Sequence, residues 1–170
     1  MEKTLKVLNE LERKKIIEKY AIGGGIATIF YMEPVLTYDM DVFIFLPHTS
    51  SGLISLSPVY EYLRNKGYKA HQEHLMIEGV PVQFIPAYNA LVEEAVKEAR
   101  EIRYKRTKTR VLRVEHLLAI MLQTNRLKDR TRMAQLLEEA KVETGYLTGI
   151  LGRHGLRGKW NELENQFHEK

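Results

Sequence analysis

Between Ala21 and Leu46 the chain passes from a short apolar entry through Gly23-Gly24-Gly25 to a mostly apolar segment. It then reaches Asp39-Met40-Asp41 and the run DVFIFL, Asp41 to Leu46. A short run this rich in β-branched and aromatic residues is a buried strand. The glycines precede a helical stretch, Gly25–Tyr31, which Pro34 ends. Strand, glycine turn, helix and second strand thus follow one another closely, and any fold the chain adopts has to accommodate that mixed α/β unit.

The flanks extend the pattern. Leu5, Leu8, Leu11, Ile16 and Ile17 recur at roughly helical spacing, so Glu2–Tyr20 reads as an amphipathic helix. Pro47–Ser57 is a loop. Pro58–Lys66 is a helix with proline in its first turn and Gly67 as its stop. Tyr68–Ile77 and Val80–Ile85 form a hairpin about Glu78-Gly79, broken by Pro86. Tyr88–Ala99 is helical, and Arg103–Arg113 alternates loosely enough for another short hairpin. From Val114 onward the chain is helical: EHLLAIMLQTN, DRTRMAQLLEEAK, TGYLTGILGRH and a polar tail. The expected fold is α/β (α+β), with a core over residues 1–113 and a helical C-terminal extension, 114–170, packed on it as one unit.

Composition narrows the chemistry. With no cysteine, disulfides, thiolate nucleophiles and cysteine zinc sites are excluded, and a reducing cytoplasm is the natural compartment. No segment approaches the roughly eighteen unbroken apolar residues of a membrane span. The charged N-terminus lacks a signal peptide's apolar region. A formal charge of +4 permits a polyanionic partner without requiring one.

On a strand, Asp39 and Asp41 share a face while Met40 points away, their Cα atoms about 6.5–7 Å apart. Carboxylates at that spacing converge on one divalent ion or straddle two. Mg²⁺ is commonly held by one or two carboxylates together with substrate phosphates. Two such ions stabilise the attacking and leaving oxygens of an in-line displacement. A cation between the groups makes their repulsion tolerable. Thr37 falls on the same face, where its hydroxyl can orient a carboxylate. The plainer alternative is that the pair flanks a turn. The glycines carry a parallel choice. Their N–H groups can approach a phosphate at a helix N-terminus, or the turn needs them only for backbone angles. Neither a P-loop nor a dinucleotide G-x-G-x-x-G is present.

Together, an apolar residue, Gly-Gly, thirteen residues, Asp-x-Asp and an apolar strand resemble the nucleotidyltransferase superfamily with the DNA-polymerase-β-like fold. Gly24-Gly25-Ile26-Ala27 and Thr37-Tyr38-Asp39-Met40-Asp41 look more narrowly like its AbiEii-type branch, which includes toxins of toxin–antitoxin systems. The resemblance implies a mixed sheet flanked by helices. It also implies Mg²⁺-dependent transfer of a nucleoside monophosphate from a nucleoside triphosphate to a hydroxyl of an RNA such as tRNA, a protein or a small molecule. By carry-over Gly24 and Gly25 contact phosphate, with Thr37 beside them, and Asp39 and Asp41 ligate Mg²⁺ as catalytic residues. Arg126-x-Lys128-Asp129 resembles a late basic-acidic element of that branch, in which Arg126 and Lys128 bind phosphate and Asp129 supplies a carboxylate. Asp129 heading a helix as its cap is the local alternative. A cognate antitoxin is the partner this branch implies.

Other positions depart from the pattern. Gln83 stands where many members carry a third carboxylate, and an amide can neither accept a proton nor neutralise a cation. Glu73 or Glu78 on the neighbouring hairpin could serve instead. The arginine expected ahead of Thr37 is replaced by Val35 and Leu36, and a lysine of the later helix by apolar residues around Met121. These departures keep two alternatives open: an inactive nucleotide- or RNA-binding module, and an interaction protein of a toxin–antitoxin pair. Lys97–Arg113 holds eight Lys or Arg and two Glu, which suits either a solvated hairpin or the phosphates of RNA. His71 and His74, spaced i, i+3 on one strand, face opposite sides and make a poor metal pair. His116, at a helix start, reads as structural.

Overall fold

The apolar run after the paired aspartates is the middle of a seven-stranded mixed sheet. The computed structural model describes residues 1–168; Glu169 and Lys170, the end of the polar tail, lie outside them. The strands are β1 (Lys19–Ile22), β2 (Met40–Phe45), β3 (Lys69–His71), β4 (His74–Ile77), β5 (Val80–Pro86), β6 (Arg100–Tyr104) and β7 (Thr107–Val111), in the order β3-β4-β5-β2-β1-β7-β6. The β2–β5 and β1–β7 pairs are parallel and the others antiparallel. Met40, Val42 and Ile44 of β2 are fully buried, as a central strand covered by helices requires.

Among the described residues eight helices flank the sheet: α1 (Glu2–Arg13), α2 (Gly24–Thr28), α3 (Ser57–Asn65), α4 (Ala90–Lys97), α5 (Val114–Thr124), α6 (Leu127–Glu139), α7 (Thr144–Arg153) and α8 (Arg157–His168). This is the α/β architecture expected from the sequence. α5 is buried from Val114 through Leu122, including Glu115 and His116, because α4, α6 and α7 pack around it. None of the described helices is long and apolar enough to cross a membrane.

Three expectations are corrected. The helix read over Glu2–Tyr20 stops at Arg13. Lys15 turns left-handed (φ 60°), and Lys19–Ile22 becomes β1. Long-range pairing overrides local periodicity there: β1 fills the slot between β2 and β7, and Glu12 accepts a hydrogen bond from Tyr20 N at 3.0 Å. Tyr20 itself is completely buried. Its hydroxyl lies 2.7 Å from Asn9 Oδ1 and 2.9 Å from Thr109 Oγ1, and burial pushes its pKa up to about 12. The strand read over Tyr68–Ile77 is instead a tight hairpin, β3–β4, turning at Gln72-Glu73 with Gln72 at φ 55°. His71 and His74 are therefore cross-strand neighbours rather than residues on opposite faces of one strand. Finally, α6 begins at Leu127, so Asp129 is a buried residue of its first turn and not its cap.

Candidate active site

β1 delivers the chain to the glycine turn at the edge where β2 begins. Gly23 N donates to Asp41 O at 2.9 Å, fastening the turn to the aspartate strand. Gly24 has φ +56°, which glycine adopts at little cost. Any side chain there would also run into the Asp41 carboxylate. A Cβ on Gly25 would lie 2.7 Å from Thr37 Oγ1 and 2.9 Å from Arg132 Nη2. The turn is thus bare because Asp41, Thr37 and Arg132 crowd against it.

Asp41 is half-buried. Burial raises its carboxyl above the ordinary range, and the neighbouring charge of Asp39 adds to this. Arg126, Lys128 and Arg132 pull the other way. Asp39, two residues back on the same face, has a side chain 36% exposed, and its Oδ2 lies 3.4 Å from His74 Nε2. Thr37 donates to the backbone carbonyl of Asp39 at 3.4 Å, so its hydroxyl orients the chain rather than the carboxylate.

Register fixes what lies beside Asp41. Gln83 on β5 is its direct partner. His74 lies one residue beyond the Leu75–Val82 pair, so across three strands it extends the row Asp41, Gln83, His74. Gln83 therefore occupies the position where the third carboxylate was sought. Glu78 is drawn off to a left-handed turn, where it accepts from Tyr68 Oη at 2.8 Å, and Glu73 is exposed in the β3–β4 turn.

Helices α5 and α6 supply the positive wall. Asp129 is fully buried. Its carboxylate accepts from Thr124 Oγ1 at 2.9 Å and from Arg126 Nε and Nη2 at 2.8 and 3.3 Å. That fork fixes a half-exposed guanidinium at the mouth of a cavity of about 390 Å³. Gly24, Asp41, Gln83, Arg126 and Asp129 line its polar side. Phe43, Ile85, Leu112, Leu117, Ile120 and Met121 form an apolar floor, and Tyr88 stands half-exposed at the rim.

No family model matches the chain, and no curated protein matches it significantly. Solved structures do. A crystal structure of an antigenic nucleotidyltransferase-like protein from Paracoccidioides brasiliensis superposes with a TM-score of 0.55 at 14% identity, over 94% of this chain and 89% of that one. The solution structure of the antibiotic-resistance factor ANT(2'')-Ia, whose title describes substrate-regulated conformation dynamics, superposes over the full length of both chains with a TM-score of 0.51 at 14% identity. The fold is nucleotidyltransferase-like.

On that fold the chain brings Gly24, Gly25, Thr37, Asp39 and Asp41 together, with Arg126 and Asp129 across the cavity. Lys128 is exposed on the first turn of α6 and acts on Asp41 through its charge. Two participants escaped sequence reading. Arg132 follows Lys128 by four residues and so shares its helix face, a periodicity that could have exposed it. His74 joins the site only through the β3–β4 turn, where Gln72-Glu73 carries none of the usual turn residues. The available donors suit a hard cation: two carboxylates that repel one another, only partly offset by Arg126, Lys128 and Arg132, beside a glycine turn that carries no side chain. Among the described residues no group of three or more His, Cys, Asp or Glu gathers to hold a metal ion of any kind, so two carboxylates alone would need phosphate oxygens and water to complete a cation's shell.

Proposed function

We propose that the chain is a nucleotidyltransferase that moves a nucleoside monophosphate from a nucleoside triphosphate to an acceptor hydroxyl. The observation that carries this reading is the contact between the Gly24 turn and the Asp41 carboxylate, which places a bare backbone curve and paired acids at one cavity edge. In the reaction the acceptor hydroxyl's oxygen forms a bond to the α-phosphorus as the bond to the bridging oxygen breaks; pyrophosphate leaves and the hydroxyl proton passes to solvent water.

Each residue has a task in this scheme. Asp39 and Asp41 would hold Mg²⁺, which when bound supplies positive charge to the phosphates and to the oxygens on either side of the reacting phosphorus. Gly24 and Gly25 let the backbone come close to the triphosphate. Arg126, Lys128 and Arg132 balance its charge, with Arg132 replacing the arginine missing ahead of Thr37. Asp129 is a positioning residue, holding Arg126 by a two-point fork. The apolar floor beneath Tyr88 suits a nucleobase, and Tyr88 can stack on it. Arg126 and Asp129 lining the same cavity as Gly24 and Asp41, with Lys128 acting on Asp41 through its charge, support placing the chain in the AbiEii-type branch, with a cognate antitoxin as the implied partner.

Gln83 favours a second reading, in which the same site binds Mg²⁺ and nucleotide without transferring it. Incubation with each α-labelled triphosphate, Mg²⁺ and cellular RNA, protein or small hydroxyl compounds separates the two. Transfer predicts a labelled acceptor that vanishes in Asp41→Asn. Nucleotide binding with no labelled product selects the inactive module, and unchanged turnover in Asp41→Asn eliminates the mechanism.

A further inference from the structure

The strongest charge on the molecule lies away from the aspartates. The segment 97–113 has eight basic residues and two acids, whereas the whole chain is only +4, so the remainder is net negative. Of these, Arg110 is committed to Glu12 at 2.5 Å. Arg100, Arg103, Lys105, Arg106 and Lys108 are exposed on the β6–β7 hairpin and form no salt bridge among the described residues. Arg103 lies directly opposite Lys108, a like-charge pairing that destabilises a hairpin.

Charge on β6 also guards an edge strand against pairing with another chain. That does not account for what lies at the hairpin's other end. There Arg100, Arg113 and Lys141, from three separate parts of the chain, converge with Phe30 and Tyr31 on a cleft of about 460 Å³. The Arg100 guanidinium lies 6.0 Å from the Tyr31 ring centre. Two acids share the cleft. Glu115 is buried and its Oε1 is engaged by Glu143 N at 2.8 Å, while Glu143 is exposed. β7 runs parallel to β1, so this end of the hairpin lies on the same sheet edge as the glycine turn. Tyr31 and Leu112 link the two: Tyr31 Oη donates to Leu112 O at 2.8 Å, and Leu112 lines the cavity that holds Asp41.

Exposed cations along the hairpin, with Arg103 and Lys108 on one face and Arg100 at its base on the other, and the aromatic rings of the adjoining cleft supply what a single-stranded polynucleotide requires: charge along the backbone and faces for its bases. We propose that the Tyr31–Arg100–Arg113–Lys141 cleft and the exposed face of the β6–β7 hairpin bind a single-stranded polynucleotide. Its role as acceptor rests on the function proposed above; its binding does not.

The test is fluorescence anisotropy with labelled oligomers of about a dozen nucleotides: single-stranded RNA, the same sequence as DNA, and the RNA duplex. Salt is varied from about 50 to about 200 mM. The full chain is compared with Arg100→Glu/Arg103→Glu/Lys108→Glu. A control of equal charge change, Arg64→Glu/Lys69→Glu/Lys159→Glu, leaves the hairpin untouched. The hairpin variant should bind at least tenfold more weakly, with a salt slope smaller by about 2, the share of three phosphate contacts. The control should stay within about twofold by the same reasoning. Equal binding of RNA and DNA assigns recognition to the phosphate backbone, and preference for RNA adds the 2′-hydroxyl. Equal loss in both triple variants, no loss in the hairpin variant, or duplex binding as tight as single strand overturns the proposal. Asp41→Asn should retain the polynucleotide while losing transfer. Binding with no transfer in the wild type would sink the enzymatic reading alone. Transfer to a non-nucleic acceptor without polynucleotide binding would sink this proposal alone.

Discussion

Asp41 works against the fold that holds it. Burial and Asp39 both raise its pKa, so its ionised form is disfavoured in the folded state. Stability therefore declines as pH rises through its titration. Neutral Asp41→Asn removes that penalty. We expect the metal-free variant to melt at a higher temperature than wild type at neutral pH, while transfer is abolished. Scanning calorimetry and the labelling assay check the two halves. Gly24→Ala acts in the opposite sense. Its left-handed backbone and collision with Asp41 should cost about 1–3 kcal/mol in urea unfolding and abolish triphosphate binding. Gly25→Ala, with no positive φ, should cost less stability than Gly24→Ala and weaken the triphosphate about tenfold by displacing Thr37 and Arg132. At this scale the sequence shows the glycine–aspartate spacing plainly, because turn and strand are local. It does not show His74, which reaches Asp39 only through cross-strand pairing.

Among the elements, one charged cluster ties the C-terminal helices to the sheet's α4. Glu94 accepts from Arg153 Nη2 at 2.6 Å, His154 Nε2 at 2.7 Å and His116 Nε2 at 3.1 Å, joining α4, α5 and α7. These bonds, led by Arg153, hold the Glu94 carboxyl down at about 2. His116 is fully buried against the Tyr146 ring, its Nδ1 has no partner among the described residues, and burial lowers its pKa. Both signs make the helical pack acid-labile. His116 begins to lose stability as pH falls below its ordinary value near 6.5, since the unfolded chain then takes up the proton. Glu94 adds to the loss between about 4.5 and about 2. The urea midpoint should fall steadily across this range. His116→Gln should flatten the upper part, and Glu94→Gln should lower stability by about 2 kcal/mol at neutral pH. None of this clustering is visible in the sequence, because its members are up to sixty residues apart. The elements themselves were largely legible. Lys19–Ile22 was missed because a four-residue strand leaves too few positions to outvote the helical spacing of Leu5, Leu8 and Leu11.

For the whole molecule, the sheet order places two opposed charges on one edge. Paired acids and the glycine turn lie at the centre, with cations of α6 facing them, and the basic hairpin lies beyond β1. The α/β core with late helices was readable from the alternation of periods, whereas the sheet order depends on crossovers that no single sequence displays. The account turns on the acids and the glycine turn forming a site for a cation arriving with a polyphosphate. Titration calorimetry with a non-hydrolysable nucleoside triphosphate, with and without Mg²⁺, measures this directly. Binding should require Mg²⁺ and weaken at least tenfold, about 1.4 kcal/mol or more, in Asp41→Asn. Equal affinity in wild type and Asp41→Asn, or binding indifferent to Mg²⁺, would contradict it.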